Sequence, residues 1–194
     1  RVAMRDSILK IAEEQMKAGG YGLLSFGQIA KELDTSRANL HYHFKNKETL
    51  ATEVTKRFIK DQEADLINLT NHFTNDFAGL INAFEQFLWL HHESQGRVGA
   101  CVCAQIIRQP ECPDSLLRLA KKHFNGLKSI LLEQVINGQK KGILRADVEP
   151  MVIATEAGCM IAGLAQMALF TTDNELEQIK GASLRWAEHY ILKL

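Results

Sequence analysis

Residues 25–47 read SFGQIAKELDTSRANLHYHFKNK, and the fold turns on how this stretch divides. Ser25 is a residue type that caps helices, and Gln28 stands three positions on, the S-x-x-Q spacing of a capping box. Leu24 before the cap and Ile29 after it are placed to close a hydrophobic staple. Ile29, Ala30 and Leu33 then give one helix face an apolar stripe. Asp34-Thr35-Ser36 interrupts that periodicity, and Ser36 is a second N-cap. In the helix it opens, Leu40 and Phe44 lie four apart and face inward onto the first stripe, which leaves Arg37, Ala38, His41 and Tyr42 outside. A short helix anchored by another, with a polar and donor-rich outer face, suits a helix-turn-helix that reads a DNA major groove.

The run Ile29 to Leu50, IAKELDTSRANLHYHFKNKETL, resembles the DNA-binding signature of the tetracycline-repressor (TetR) family of one-component bacterial regulators. The likeness covers roughly residues 5 to 55, and its most specific part is Leu40-x-Tyr42-His43-Phe44-x-Asn46-Lys47-Glu48-x-Leu50. Three positions depart from the family pattern. Asp34 stands where Gly is usual, His41 where Tyr is common, and Asn46 where Ser is more frequent. Asp tolerates the left-handed turn conformation better than most residues, so the turn is expected to survive. Asn46 is as good a cap as Ser. His41 lies on the outward face and bears on which operator is read.

The resemblance implies an all-α protein. An N-terminal three-helix head with the helix-turn-helix would occupy residues 1–46, and a larger helical body for effector binding and dimerisation residues 47–194. Arg37, Asn39, His41 and, less directly, Gln28 would meet base edges of a palindromic double-stranded operator, with Ala38 on the same face. Ser25, Ser36, Tyr42 and Lys47 would hold phosphates. Lys47 sits in the first turn of the next helix, where a cation opposes the helix dipole; that placement makes sense if it and the free backbone N–H groups face a phosphate together.

Composition agrees. Hydrophobic content of 46%, charge of 24% and only three prolines fit a helical globular chain. The net charge is zero, but residues 1–60 carry 11 Lys and Arg against 7 Asp and Glu, and the rest 12 against 16. A basic head on an acidic remainder is the asymmetry expected when only the head meets phosphates. No apolar run approaches the ~20 residues of a membrane span, and the N-terminus lacks a signal-peptide pattern, so a cytoplasmic protein without membrane contact is expected. Four cysteines in such a chain are not a disulfide framework.

Along the chain, Ile8, Leu9, Ile11, Ala12 and Met16 form a helical stripe that Gly19-Gly20 ends; its basic start, Arg1 and Arg5, lies near DNA or is simply solvated. Asn46 caps a long fourth helix to about residue 70. Phe77 to His92 is apolar at helical spacing, residues 96–99 break it, and a shorter helix holds Cys101 to Arg108. Asp114 to Lys141 is a long amphipathic helix ended by Gly142. Pro150 in a first turn opens a helix to about Phe170, and the capping box Thr172-x-x-Glu175 opens a last one to about Leu192. Ala154, Ala157, Gly158, Ala162 and Ala165 line one side with small residues, and Trp186 and Tyr190 give the last helix a second face. Helices apolar or small most of the way round must be covered on both sides. By resemblance, these last two helices form a homodimer interface.

No nucleophile elbow, P-loop, dinucleotide glycine set or HExxH occurs, so no catalysis, cofactor or metal is expected. His91 and His92 point about 100° apart on a helix and suit one ion poorly. Cys101 and Cys103, two apart on an expected helix, point to opposite sides; they read as small buried hydrophobes, as an electrophile-sensing pair near the helix start or, with histidines, as a zinc site. Cys112 lies in a Pro-rich loop, and Cys159 among the small residues. Phe84, Phe87, Trp89, Cys101, Cys103, Phe124 and Met167 are candidate contacts for a small-molecule or electrophile inducer. The alternatives are a helical thiol-dependent enzyme using Cys101, which explains nothing about residues 25–47, and an interaction module without DNA.

Overall fold

The computed structural model describes residues 2–95, 101–167 and 172–192. The helices among them are α1 (Val2–Leu23), α2 (Phe26–Glu32), α3 (Arg37–His43), α4 (Lys47–His72), α5 (Phe77–Gln95), α6 (Val102–Ile107), α7 (Asp114–Lys140), α8 (Pro150–Met167), α9 (Asp173–Ile179) and α10 (Ala182–Ala187). The described residues contain no strand, only an isolated antiparallel bridge between Leu144 and Ile191. The all-α expectation holds. Arg1, the 96–99 break, Phe170 and the side chains of His91 and His92 lie outside what is described.

The chain forms two compact units. The first comprises Arg1–Ala64 and Ala100–Phe124. Its core joins Ile8, Leu9, Ala12 and Met16 of α1 to Ile29, Leu40, Phe44, Leu50 and Val54, and also to Val102, Cys103 and Ile106 of α6 and Leu116 of α7. The expected boundary at 46/47 therefore falls inside this unit. α1 breaks where the glycines stand: Gly20 has φ +65°, a conformation that costs glycine least. Arg5, expected near DNA or in solvent, pairs with Glu53 and lies 4.9 Å over the Phe44 ring, tying α1 to α4.

The second unit comprises Asp65–Gly99 and Asn125–Leu194. Phe77, Ile81, Leu131, Val135, Leu144, Ile153, Ala157 and Ala187 fill its larger cluster, and Trp89, Leu164 and Leu176 a smaller one. The last helix is not continuous to Leu192, as its periodicity implied. It ends at Ile179, and α10 restarts after Gly181, at φ +78°. The cause is a buried carboxylate. Glu85 of α5 accepts from Gly181 N–H at 2.5 Å, Ser183 N–H at 2.9 Å, the Ser183 hydroxyl and Trp89 Nε1–H at 2.9 Å. Peptide N–H groups committed to a side chain are unavailable to the helix ladder, so the helix parts there.

α8 departs from a second expectation. Its 18 residues, mean hydropathy 1.2, are long and apolar enough by composition to cross a membrane, and only 22% of the helix is buried. Met151, Val152, Cys159, Ala162, Gly163 and Met167 are exposed along it. Its one charged residue, Glu156, accepts a hydrogen bond from the Tyr190 hydroxyl. Of the expected small-residue stripe, Ala154 and Ala157 are buried in the unit's own core; the exposed face sets Cys159, Ala162 and Gly163 among Met151, Val152 and Met167, an apolar surface with an engaged carboxylate beside it that suits another helix better than lipid.

Candidate nucleic-acid interface and thiol pair

Helices α2 and α3 are held at their ends by their own sequence. Ser25 caps α2 by accepting from Gln28 N–H at 3.4 Å, but the reciprocal arm of the box is not made by Gln28. Gln15 of α1 takes that place, its Oε1 accepting from Ser25 N–H at 2.9 Å. Gln28 is left exposed. α2 ends in a Schellman turn: Thr35 N–H donates to Ala30 O at 2.9 Å and Asp34 N–H to Lys31 O at 3.3 Å. Asp34 occupies the left-handed position at φ +48°, as its place in the turn required. Ser36 caps α3 by accepting from Asn39 N–H at 3.1 Å. Leu40 and Phe44 are 0% and 1% exposed and seat α3 on α2.

The outer face then follows. Arg37, Ala38, His41 and Tyr42 are exposed, Tyr42 by 64%, and Asn39 is half-buried. Asn39 Nδ2 donates to Thr35 Oγ1 at 3.0 Å, which fixes the amide and points its remaining hydrogen-bonding capacity away. His41 is oriented twice, by its ring contact with Phe26 at 4.8 Å and by Nδ1 within 3.2 Å of Lys45 O. A carbonyl only accepts, so Nδ1 carries the proton and, in the neutral ring, Nε2 is an acceptor. In the major groove such an acceptor matches the amino group of adenine or cytosine. Arg37 lies across the first turn of α2, where a methyl on Gly27 would fall 2.4 Å from Nη2. The bare glycine makes room for the guanidinium.

Lys47 stands differently from its expected place. It is half-buried, its Nζ 4.6 Å over the Tyr21 ring and donating to Gly22 O at 3.4 Å. The ammonium is turned onto the protein, and the α4 cap belongs to Asn46, whose Oδ1 accepts from Thr49 N–H at 2.8 Å. Thr35, Phe26, Gln15 and the carbonyl of Lys45 are contributors that sequence reading missed. Only Thr35, four before Asn39 at a helix entry, carried any local signal.

The cysteine geometry corrects an expectation. Cys101 is not in a helical turn. It is the N-cap of α6, extended at φ −88°, ψ 116°, which swings its side chain toward Cys103. The hydrogen bond from Cys103 is the main cause that brings the Cys101 thiol down to about 7, against burial; the N–H groups of Ala104 and Cys103, and Arg108, add to it. Cys103, wholly buried, is pushed up by the same pairing. Cys101 is half-buried and so the reachable member. Cys112 is 6% exposed, while Cys159 is on the exposed side of α8 rather than in core packing.

The other ligand candidates are dispersed. Trp89 is buried and bonded to Glu85, Phe84 packs on the Phe77 cluster, Phe87 is half-buried, and Phe124 and Met167 are 37% and 41% exposed. His123 is 4% exposed with Nδ1 unpartnered, its ring 6.4 Å from Phe58, and burial lowers its proton affinity. Among the described residues no group of three His, Cys, Asp or Glu is arranged to hold a metal ion.

A family profile described as bacterial regulatory proteins, tetR family, matches residues 8–54. Over 51 residues the chain is 41% identical to the HTH-type transcriptional regulator QacR of Staphylococcus aureus, a stretch that is 26% of this chain and 27% of that relative. Whole-chain likeness is structural. A TetR-family transcriptional regulator from Agrobacterium tumefaciens superposes with TM-score 0.81 at 20% identity over 98% of both chains. The reduced form of E. coli NemR does so with TM-score 0.79 at 16% identity, over 99% of this chain and 100% of that one. The matched head carries the two caps and the left-handed turn described above, and the structural likeness extends over 98% of the chain. Residues 8–54 thus match the TetR family of bacterial regulatory proteins, and the chain shares the fold of TetR-family structures over that 98% of its length.

Proposed function

We propose that the chain is a dimeric DNA-binding transcriptional repressor, released from a palindromic operator by a small-molecule or thiol-reactive inducer. One observation carries the DNA reading: the outer face of α3 presents exposed Arg37 beside Asn39 and His41, the last two with fixed orientations, on a helix capped at Ser36 and seated by Leu40 and Phe44. Preset donors and acceptors on a short exposed helix are what base-edge reading needs. Gln28 adds to that face, and Ser25, Ser36, Tyr42 and Lys47 supply phosphate contacts, Lys47 by leaving Tyr21. A second copy of the chain covers α8, whose exposed apolar face is unsatisfied in a single chain. Two heads then span half-sites about one helical turn, or a multiple of it, apart. The protein works in the cytoplasm, without catalysis.

The inducer reading rests on Cys101, a half-buried thiol poised near 7 beside a buried donor. At neutral pH a large fraction is thiolate, the nucleophilic form. Its sulfur adds to the β-carbon of an activated alkene, and the α-carbon takes a proton from water. The adduct then presses on Cys103 and α6. Non-covalent induction through the aromatic side chains of the second unit is the other route. The test is a salt titration of binding to duplexes that the wild-type chain enriches from a random pool. Log affinity should fall linearly with log salt, and the enriched sites should be palindromic. Binding with no sequence enrichment and no salt slope would refute the reading.

A further inference from the structure

At the break near the C-terminal end of α1, residues 19–22, the chain makes a turn that is held from outside. Lys17 and Gly19 stand at this break, where non-helical φ/ψ at Gly19 and Gly20 interrupts the helix ladder. α6 supplies a partner for each of their carbonyls. Gln105 Nε2 donates to Lys17 O at 3.2 Å, and Gln109, just past the end of α6, donates through Nε2 to Gly19 O at 2.6 Å. The same Gln109 carboxamide accepts, through Oε1, from Gly22 N–H at 3.0 Å. One side chain thus clamps both edges of the turn. The turn is stripped to receive it: a methyl on Gly20 would fall 2.7–2.8 Å from all three atoms of the Gln109 amide group.

What hangs on this turn is the DNA-binding head. Gly22 O is the acceptor for Lys47 Nζ, and the Tyr21 ring is the surface under that ammonium. Tyr21 O accepts from Leu24 N–H at 3.3 Å, and Leu24, 2% exposed, leads into the Ser25 cap of α2. We propose that Gln109 is a positioning residue for DNA recognition: its carboxamide sets the turn at residues 19–22, from which α2 and Lys47 take their places. A displacement of α6 is then felt at the head as the loss of two hydrogen bonds. This deepens the reading of the chain as a DNA-binding regulator and rests on it. Only a side chain with one donor and one acceptor at this reach can make both bonds. Ionised glutamate can accept from Gly22 but repels the Gly19 carbonyl, whereas protonated glutamate can do both.

The test uses the full chain and a duplex enriched by wild type from a random pool. Wild type, Gln109→Leu and Gln109→Glu are compared by fluorescence anisotropy at several salt concentrations, with melting followed by circular dichroism. Gln109→Leu should bind about tenfold more weakly, the scale of two lost neutral hydrogen bonds, and its salt slope should change by about one unit as Lys47 is freed from the turn. Gln109→Glu should be at least as weak at pH 7.5, and its deficit relative to wild type should narrow at pH 5 while that of Gln109→Leu does not. Should the leucine variant melt below the assay temperature, the glutamate series decides alone, since both of its states share one chain. If wild type binds tightly and both variants match it in affinity and slope, Gln109 positions nothing. A glutamate deficit that stays constant between the two pH values overturns the proposal equally. If wild type itself shows no sequence-selective, salt-dependent binding, it is the DNA-binding reading that fails.

Discussion

Replacing Glu85 by Gln probes the second unit with a change of one atom. Each carboxylate oxygen accepts two hydrogen bonds, one from Trp89 Nε1–H and Gly181 N–H, the other from Ser183 N–H and its hydroxyl. Whichever way the amide turns, its NH2 faces two donors. Turned toward Ser183, the NH2 can donate to the hydroxyl but leaves Ser183 N–H buried without an acceptor; turned the other way it orphans both Trp89 Nε1–H and Gly181 N–H, and in either case the remaining bonds lose their charge. At about 1.5–3 kcal/mol per bond to a charged group, and allowing for relaxation, the cost should be about 3–5 kcal/mol. For a chain of this size that lowers the melting midpoint by about 6–15 °C, read by circular dichroism at pH 7. The pH profile gives an independent check. Burial pushes the carboxyl up, but the bonds from Ser183 and Trp89 and from the Ser183 and Gly181 N–H groups outweigh it and hold it below its ordinary value. A depressed native value means the stabilisation is complete above the unfolded value of about 4.3 and is lost as pH falls through the native one. The wild-type advantage over Glu85→Gln should therefore shrink on acidification below about pH 4. A variant within about 1 kcal/mol of wild type at pH 7, or a gap that widens in acid, would refute this account of the Gly181 break.

Other perturbations should act where the structure says. Arg37→Ala should cost about 1–3 kcal/mol on the enriched operator and relax one base position, as read by binding to single-site mutants of the duplex. Asp34→Gly should relieve the left-handed backbone and raise stability by about 0.5–1 kcal/mol in urea denaturation; a loss would mean the Asp side chain supports the turn. Ala162→Glu places a charge on the exposed apolar face of α8, and should convert a sedimenting dimer to monomer and abolish operator binding. N-ethylmaleimide should release wild type from DNA but not Cys101→Ser; with Cys103→Ala release should slow, because the donor that favours the thiolate is removed.

What the sequence disclosed was local. Ser25, Ser36, Asn46 and Thr172 cap helices because a side-chain oxygen reaches an N–H two or three residues on, and that spacing is written in the chain. Leu40 and Phe44 announce their burial by being four apart. What it hid depends on residues far away in sequence. Gln15 replaces Gln28 in the capping box, Gln109 reaches back to Gly19 and Gly22, and Glu85 opens the last helix at Gly181. The apolar period from Ile179 through Ala182 to Trp186 runs across that opening, so a pattern read by spacing alone passes over it. Cys101 was misplaced for a related reason: one extended residue before α6 reverses the direction its side chain takes.

The discontinuous make-up of the first unit has a consequence for the order of events during synthesis. Leu50 and Val54 share their core with Val102, Ile106 and Leu116, which leave the ribosome some fifty residues later. At about 5–20 residues per second, that is a wait of several seconds during which the apolar faces of α1 and α4 have no lasting cover. Helices α2 and α3 can form early, but the turn at residues 19–22 is not fastened until Gln109 arrives. A nascent chain cut short before α6 should therefore be a poor DNA binder and a good chaperone client. On the function proposed above, the surface that would hold an operator is completed only together with the helix that begins at the thiol pair, so a truncated product should not occupy the site.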